Sequence, residues 1–362
     1  MFKKILRLLV GAVFIVSGFV KAVDAKGFSF KLEEYFSAQV FDLPMLERLA
    51  LPISIFVVGL ELVLGIMLFL GLHIKKVLSM MIALCVYFAF LTFYSAYYNK
   101  VTDCGCFGDA IKFTPWESFA KDIVLLVFIL ILWVLYRKDF RKNENRSSLR
   151  ISVLVVSVVM SGWVIAQGIR HQPIIDFRDF KVGTDLKAEK QKIAKNPSEY
   201  KTFYVLKNTK TKEEKKVSQD DYINKNYWQD STWMIEEDKT TSELIKDGYH
   251  SEVSKFKIED AGGNDFTDGI LDKKNVVLLF VSNPEDNVDV SLIHQVKTKE
   301  LKKNPNIEFE VVSTAPVKGF ENLYMDGTTL KTIARNNMFI LVLNKGKIVD
   351  KASVEDYIRH QK

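Results

Sequence analysis

Two of the three cysteines in this 362-residue chain stand one residue apart, in the string Asp103-Cys104-Gly105-Cys106-Phe107-Gly108. Three chemistries suit such a pair. As a dithiol it could cycle with a disulfide; cysteines this close bond only across a bent backbone, and strained disulfides are easily reduced. Gly105 permits one bend and Gly108 a second, while the carboxylates of Asp103 and Asp109 disfavour a strongly acidic thiol. As a metal site the pair supplies only half of a tetrahedral zinc set, and no nearby histidine completes it, so no metal is expected. The third reading is a structural turn without chemistry.

What separates these readings is the position of the pair relative to a bilayer. Residues 1–170 are dominated by Leu, Val, Ile and Phe, and residues 171–362 by Lys, Asp, Glu and Asn. A membrane helix needs about 20 apolar residues, and the pattern predicts five spans, over residues 5–20, 53–72, 77–98, 116–136 and 151–169. A cleaved signal peptide ending near Val23-Asp24-Ala25 is the alternative for the first. Residues 28–49 are too charged to span; Phe28, Leu32, Tyr35, Phe36 and Val40 recur at helical spacing and predict an amphipathic helix, interfacial or packed. Lys3, Lys4 and Arg7, then Lys75 and Lys76, then the basic stretch from Arg137 to Arg150 mark three alternating cytoplasmic faces. Lys26, Lys31 and Arg48 in the first outer loop run against that rule. The expected location is the bacterial inner (plasma) membrane, with a cytoplasmic N-terminus and with the cysteine loop and C-terminal domain in the periplasm, where disulfides persist. The net charge of +6 comes from 50 basic and 44 acidic residues. These lie on a solvated surface with no basic stripe for nucleic acid.

Glu61 falls in the middle of the second span, where a carboxylate is costly and is by default a functional candidate. Lys21 and Lys121, near the outer ends of their helices, are its available partners, and Asp122 would complete a small polar cluster. The plainer alternative is a hydrogen bond that orients helices. Gly59 and Gly65 predict close helix contact on the same span. Cys85, in the third span, is expected to behave as a small apolar residue.

Ser17-Gly18-Phe19-Val20-Lys21, Glu61-Leu62-Val63-Leu64-Gly65, the Cys104-Gly105-Cys106-Phe107-Gly108 loop and the Lys121-Asp122 opening of the fourth span together resemble the DoxX-like superfamily, in its MauE branch, over residues 1–136. The resemblance implies a four-helix membrane bundle with a role in extracytoplasmic thiol-disulfide chemistry or maturation of exported proteins, with Cys104 and Cys106 as the reactive pair. The sequence carries no cofactor motif of its own; the resemblance admits a membrane quinone. Methylamine metabolism does not carry over, since nothing in the chain identifies that pathway.

The α-helical bundle is thus expected to gain a cytoplasmic loop with a fifth span (137–170) and an extracytoplasmic region (171–252) containing strands at 202–207 and 233–236. A soluble α/β unit follows (253–362). There the pattern predicts strands at 256–260, 276–281 and 307–312, a helix at 288–301, a hairpin at 338–350 and a final helix at 353–360. That order resembles the thioredoxin fold. The strand at 276–281 should lead into active cysteines but leads into Ser282-Asn283-Pro284, and no cysteine follows Cys106. The unit cannot exchange disulfides itself. His250, His294 and His360 are scattered and read as surface residues.

Two functions compete. One is a membrane thiol-disulfide oxidoreductase cycling Cys104 and Cys106, with Glu61, Lys21 and Lys121 shaping its polar interior. The other is a non-enzymatic anchored scaffold whose thioredoxin-like unit binds an extracytoplasmic protein. Both involve the lipid bilayer and neither involves nucleic acid. A transporter is disfavoured by the lack of an internal repeat.

Overall fold

The computed structural model describes residues 1–98, 100, 101, 108, 110, 111, 113–138, 148–286 and 288–360. Five of its helices are long and apolar enough to cross a membrane: α1 (Phe2–Val23), α4 (Ala50–Leu70), α5 (Ile74–Tyr98), α6 (Pro115–Tyr136) and α7 (Ser148–Arg170). Short helices α2 (Ala25–Phe36) and α3 (Pro44–Arg48) link the first two spans. The rest of the chain mixes sheet and helix. First come α8 (Leu186–Lys195), β1 (Glu199–Asn208), β2 (Glu214–Ser218), α9 (Gln219–Asn224), β3 (Trp233–Ile235) and β4 (Thr241–Lys246). Then follow α10 (Thr267–Leu271), β5 (Val276–Val281), α11 (Val290–Lys303), β6 (Glu308–Ser313), β7 (Asn322–Tyr324), α12 (Gly327–Ile333), β8 (Met338–Asn344), β9 (Lys347–Ser353) and α13 (Val354–His360).

Helices α1, α4, α5 and α6 pack as a bundle, α1 against α4 and α5 against α6 most extensively. Small residues set the first of these contacts. A Cβ added at Gly11 would lie 3.0 Å from the Phe69 backbone, one at Gly18 2.9 Å from Leu62, and one at Gly65 3.0 Å from Ile15 and Phe14. Gly59, expected to share this role, has nothing within 4 Å. It faces away from α1, because the contact stripe on α4 runs through Leu62, Gly65 and Phe69 at helical spacing.

Helix α2 buries Phe28, Leu32, Tyr35 and Phe36 against the bundle, which settles the amphipathic stretch as packed. It ends at Phe36, capped at Ser37, so Val40 reaches the same core from a turn and not from the helix. Helix α7 touches the bundle through Val164, Ile165 and Gly168 in its last two turns. A Cβ at Gly168 would collide with the Val23 carbonyl. This contact brings the C-terminal ends of α1 and α7 to one end of the bundle.

Strands β1–β4 form an antiparallel sheet in which β1 pairs with β2, β3 and β4. The second sheet has the order β7-β6-β5-β8-β9, with β5 parallel to β6 and antiparallel to β8. All six residues of β5 are buried. Val276, Leu278 and Phe280 enter one core and Val277, Leu279 and Val281 the other, the signature of a central strand covered on both faces. Phe180 and Leu186, upstream of the first sheet, pack in the same core as Phe256. The strand expected at 256–260 does not form; Glu259 alone makes bridges, to Asp265 and Tyr324. Burial of Phe256 and Ile258 in the core accounts for the alternation that suggested a strand.

Candidate functional site

Lys21, two residues from the end of α1, is 2% exposed, and Glu61, in the middle of α4, is 4% exposed. The Lys21 ammonium donates to Glu61 Oε1 at 3.0 Å and to Ser17 Oγ at 2.9 Å, and stands 2.9 Å from Glu61 Oε2. It also lies over the rings of Phe28 and Phe88, at 5.9 and 5.4 Å. One cation therefore ties together α1, α2, α4 and α5. The close approach at Gly18 makes this reach feasible, since a larger residue there would push α1 away from Leu62, beside Glu61.

Lys121 and Asp122 form a second pair, with Nζ to Oδ1 at 2.9 Å, and Thr92 Oγ1 lies 3.2 Å from Asp122 Oδ2. The two pairs face a common cavity of about 20 Å³ lined by Ser17, Lys21, Glu61, Cys85, Lys121 and Asp122. The structure thus brings together all four charged residues anticipated inside the bilayer. Lys121 partners Asp122 and not Glu61. The cavity has room for about one water. A quinone ring is several times larger, so these residues as arranged do not form a quinone site.

Cys85 was expected to be a mere apolar filler. It is buried and unpaired, yet its side chain lines this polar cavity. Cys85, Phe88 and Thr92 share one face of α5 by their spacing. Among the described residues no group of His, Cys, Asp and Glu could hold a metal.

Cys104, Gly105, Cys106 and Phe107 lie outside the described residues. Their flanks are tied down. Ser95, buried in α5, donates to the Val101 carbonyl. On the other side Thr114 and Glu117 cap α6 reciprocally, with Thr114 N–H to Glu117 Oε2 at 2.8 Å and Glu117 N–H to Thr114 Oγ1 at 3.3 Å. Gly108 has a φ of +52°, and a Cβ on it would lie 3.5 Å from Val20. Gly108 therefore lies beside the end of α1 that carries Lys21.

The C-terminal region docks at this same end. Arg335 of the turn between α12 and β8 is 6% exposed and grips Asp24, at the α1–α2 corner, with Nε 2.9 Å from both carboxylate oxygens and Nη2 2.6 Å from Oδ2. Asp24 also caps α2 through the Gly27 N–H at 2.8 Å. Burial acts to raise the Asp24 carboxyl, but the charge and hydrogen bonds of Arg335, with help from Arg178 and Gly27, outweigh it and hold the group below the usual carboxylate range. Around this contact, Lys331 pairs with Glu33 at 3.3 Å, and Lys331 and Arg335 lie over the Phe30 ring. Two residues beyond Arg335, Asn337 clamps the end of β5: its carbonyl accepts from Ser282 N–H at 2.8 Å, and its Oδ1 from Asn283 N–H at 2.7 Å. Arg335 was not singled out from the sequence, and Asp24 only within the cleavage-site alternative for the first span. A carboxylate just past a span and an arginine in a polar turn give no local sign of each other.

Behind this seam, Asp176 accepts from Arg178 Nε at 2.6 Å and Nη2 at 2.9 Å and from Lys351 Nζ at 2.8 Å. Burial, reinforced by the nearby Arg178 charge, pushes the Lys351 amine down to about 7 despite Asp176. An unfolded lysine near 10.5 keeps its proton through the window in which the folded one has lost it. Unfolding then takes up a proton, so stability rises with pH from about 7 to about 10.5 and the penalty is complete below 7. Melting of the full chain in detergent should show this rise, and Lys351→Met should flatten it while Asp176 keeps its Arg178 partner. Equal slopes for the two proteins would contradict it.

Residues 1–136 match the family Methylamine utilisation protein MauE. The MauE match covers the four-helix bundle, including Lys21, Glu61, Lys121, Asp122 and the cysteine loop, and stops at the end of α6. Among curated proteins, Protein TlpB of Flavobacterium psychrophilum is 28% identical over 144 residues, which is 38% of this chain and 38% of that protein. The aligned part thus spans little more than a third of the relative's length. No solved structure matches. The spanning helices and the MauE match fit a bacterial membrane protein in contact with lipid.

Proposed function

We propose that this chain is a membrane thiol-disulfide protein of the DoxX-like, MauE type, with Cys104 and Cys106 as its exchanging pair. The observation that carries the reading is the meeting of three features at one end of the bundle. Gly108 of the cysteine string lies against Val20, the Lys21–Glu61 pair lies just below, and Arg335 moors the C-terminal region on Asp24. Exchange needs nothing beyond a partner disulfide. One thiolate attacks a partner sulfur and expels the other partner sulfur as a thiolate. The second thiolate then attacks the first cysteine's sulfur in the mixed disulfide and expels the remaining partner thiolate. Cys104 and Cys106 thereby become joined, and the partner leaves as a dithiol with their two protons and two electrons. The reverse sequence reduces the pair.

The division that goes with this reading is a membrane bundle at 1–136, a loop and fifth span at 137–170, an extracytoplasmic region at 171–252 and a thioredoxin-like unit at 253–362. The parallel β5–α11–β6 unit, the antiparallel β8–β9 hairpin and terminal α13 support the last assignment. Without cysteines it acts as a docking module that presents a periplasmic protein to the membrane loop. The N-terminus and the basic loop at 137–150 are cytoplasmic, and the membrane is the inner one.

A membrane-impermeant maleimide applied to intact cells tests both chemistry and side. After a reductant, two labels per chain are expected in the segment containing Cys104 and Cys106, and none before it; buried Cys85 stays unlabelled throughout. A pair that labels identically under both conditions, or only after lysis, removes the proposal. The absence of any cysteine after Cys106 favours a second reading, an anchored scaffold. For that reading a Cys104→Ser/Cys106→Ser double variant would still retain its envelope partner in mild detergent.

A further inference from the structure

Val156, Met160, Trp163 and Gln167 of α7 and His171 just past its end recur at intervals of four, three, four and four residues, which places them along one helical face. The first three are exposed and apolar, Trp163 at 61%. The last two line a cavity of about 590 Å³ between the end of α7 and the β9–α13 corner. The face thus changes from lipid-like to polar within one turn. A helix of 23 residues is about 35 Å long, slightly more than the hydrocarbon core is thick. The change therefore falls at headgroup level, where tryptophan commonly marks the boundary.

The cavity walls carry both signs of charge. Lys351, nine-tenths buried, uses two of its three ammonium protons on Asp176 and the Phe180 carbonyl. Arg359 and Asp350 are exposed at the rim. His171 is braced by Asp356, its Nδ1 2.8 Å from Oδ1. The volume lies within the usual range for small-ligand sites.

We infer that this cavity is a binding site for a zwitterionic aminophospholipid, its phosphate held by Arg359 and Lys351, its primary ammonium by Asp350, and an acyl chain running down α7 over Trp163, Met160 and Val156. A headgroup of one sign leaves either the basic or the acidic wall unmatched. A trimethylated choline cannot donate hydrogen bonds to Asp350. The site is separate from the cysteine loop and the Lys21–Glu61 cavity, so it stands or falls independently of the thiol proposal.

The full-length protein, reconstituted in nanodiscs of equimolar phosphatidylethanolamine, phosphatidylcholine and phosphatidylglycerol with matched acyl chains, can be released for native mass spectrometry. Retained phosphatidylethanolamine should exceed each competitor by roughly tenfold, the value of one charge-assisted hydrogen bond. Arg359→Glu should abolish retention. Asp350→Asn should bring phosphatidylethanolamine down to the level of phosphatidylcholine. Trp163→Ala should weaken all three alike. Arg359 and Asp350 are surface residues, so unchanged melting temperatures confirm that their variants fold. Equal retention of the three lipids, a preference for phosphatidylglycerol, or wild-type retention in Arg359→Glu and Asp350→Asn would each overturn the assignment.

Discussion

Replacing Arg335 with alanine should free the C-terminal region from the membrane bundle. The substitution leaves the Asp24 carboxylate buried with only the Gly27 N–H as a direct hydrogen-bond donor and Arg178 as a more distant charge. Removing one partner of a buried pair costs about 3–5 kcal/mol, or roughly two to three and a half powers of ten in the docked-to-undocked ratio. Hydrogen exchange in detergent should report this as lost amide protection at 171–180 and 334–337, while β5 and β8 stay protected because their sheet does not depend on the contact. Lys331→Ala, at the exposed pair with Glu33, should cost under about 1 kcal/mol. The swap Asp24→Arg/Arg335→Asp should recover part of the loss. Because the Asp24 carboxyl is lowered in the folded protein, its contribution is present above its unfolded pKa of about 4 and fades as pH falls through the folded value. Unchanged exchange in Arg335→Ala would show that apolar packing alone holds the seam.

The second large effect concerns Lys21. Lys21→Met strands Glu61 as a buried lone carboxylate and should cost about 3–5 kcal/mol, whereas Lys21→Met/Glu61→Leu removes both charges and should restore most of the stability. On the proposed function, we expect the double variant to melt near the wild type while the Cys104–Cys106 pair cycles more slowly, since the cavity lined by Lys21 and Glu61 loses one of its two ion pairs. Measuring melting and thiol labelling on the same samples separates the two roles. A stable double variant with wild-type cycling would reduce the pair to a helix-orienting device. A double variant as unstable as Lys21→Met would contradict the energetic account itself.

The membrane part was largely legible in the sequence for a physical reason. In apolar runs a charge has few places to go, so Glu61 in one span and Lys21 at the end of another nearly dictate each other. The central strand β5 was equally plain, because six consecutive apolar residues cannot be left in water. The rest was hidden by distance or by weak patterning. Asp24 and Arg335 are 311 positions apart, and each reads locally as a solvated residue; Asp24 even suggested a processing site. Strand β4 is exposed at every position, so it lacks the alternation that betrays a half-buried strand. Gly59 misled because composition alone does not say which side of a helix meets its neighbour. Cys85 misled because a thiol among apolar residues gives no hint that two ion pairs converge on the same face.

The socket at the α1–α2 corner has a consequence for biosynthesis. Val23 and Asp24 are made long before Gly168 and Arg335, the residues that plug into them. The receiving surface therefore leaves the ribosome before the fifth span and the lobe that dock on it. Arg335 can dock only after the five spans before it have been made.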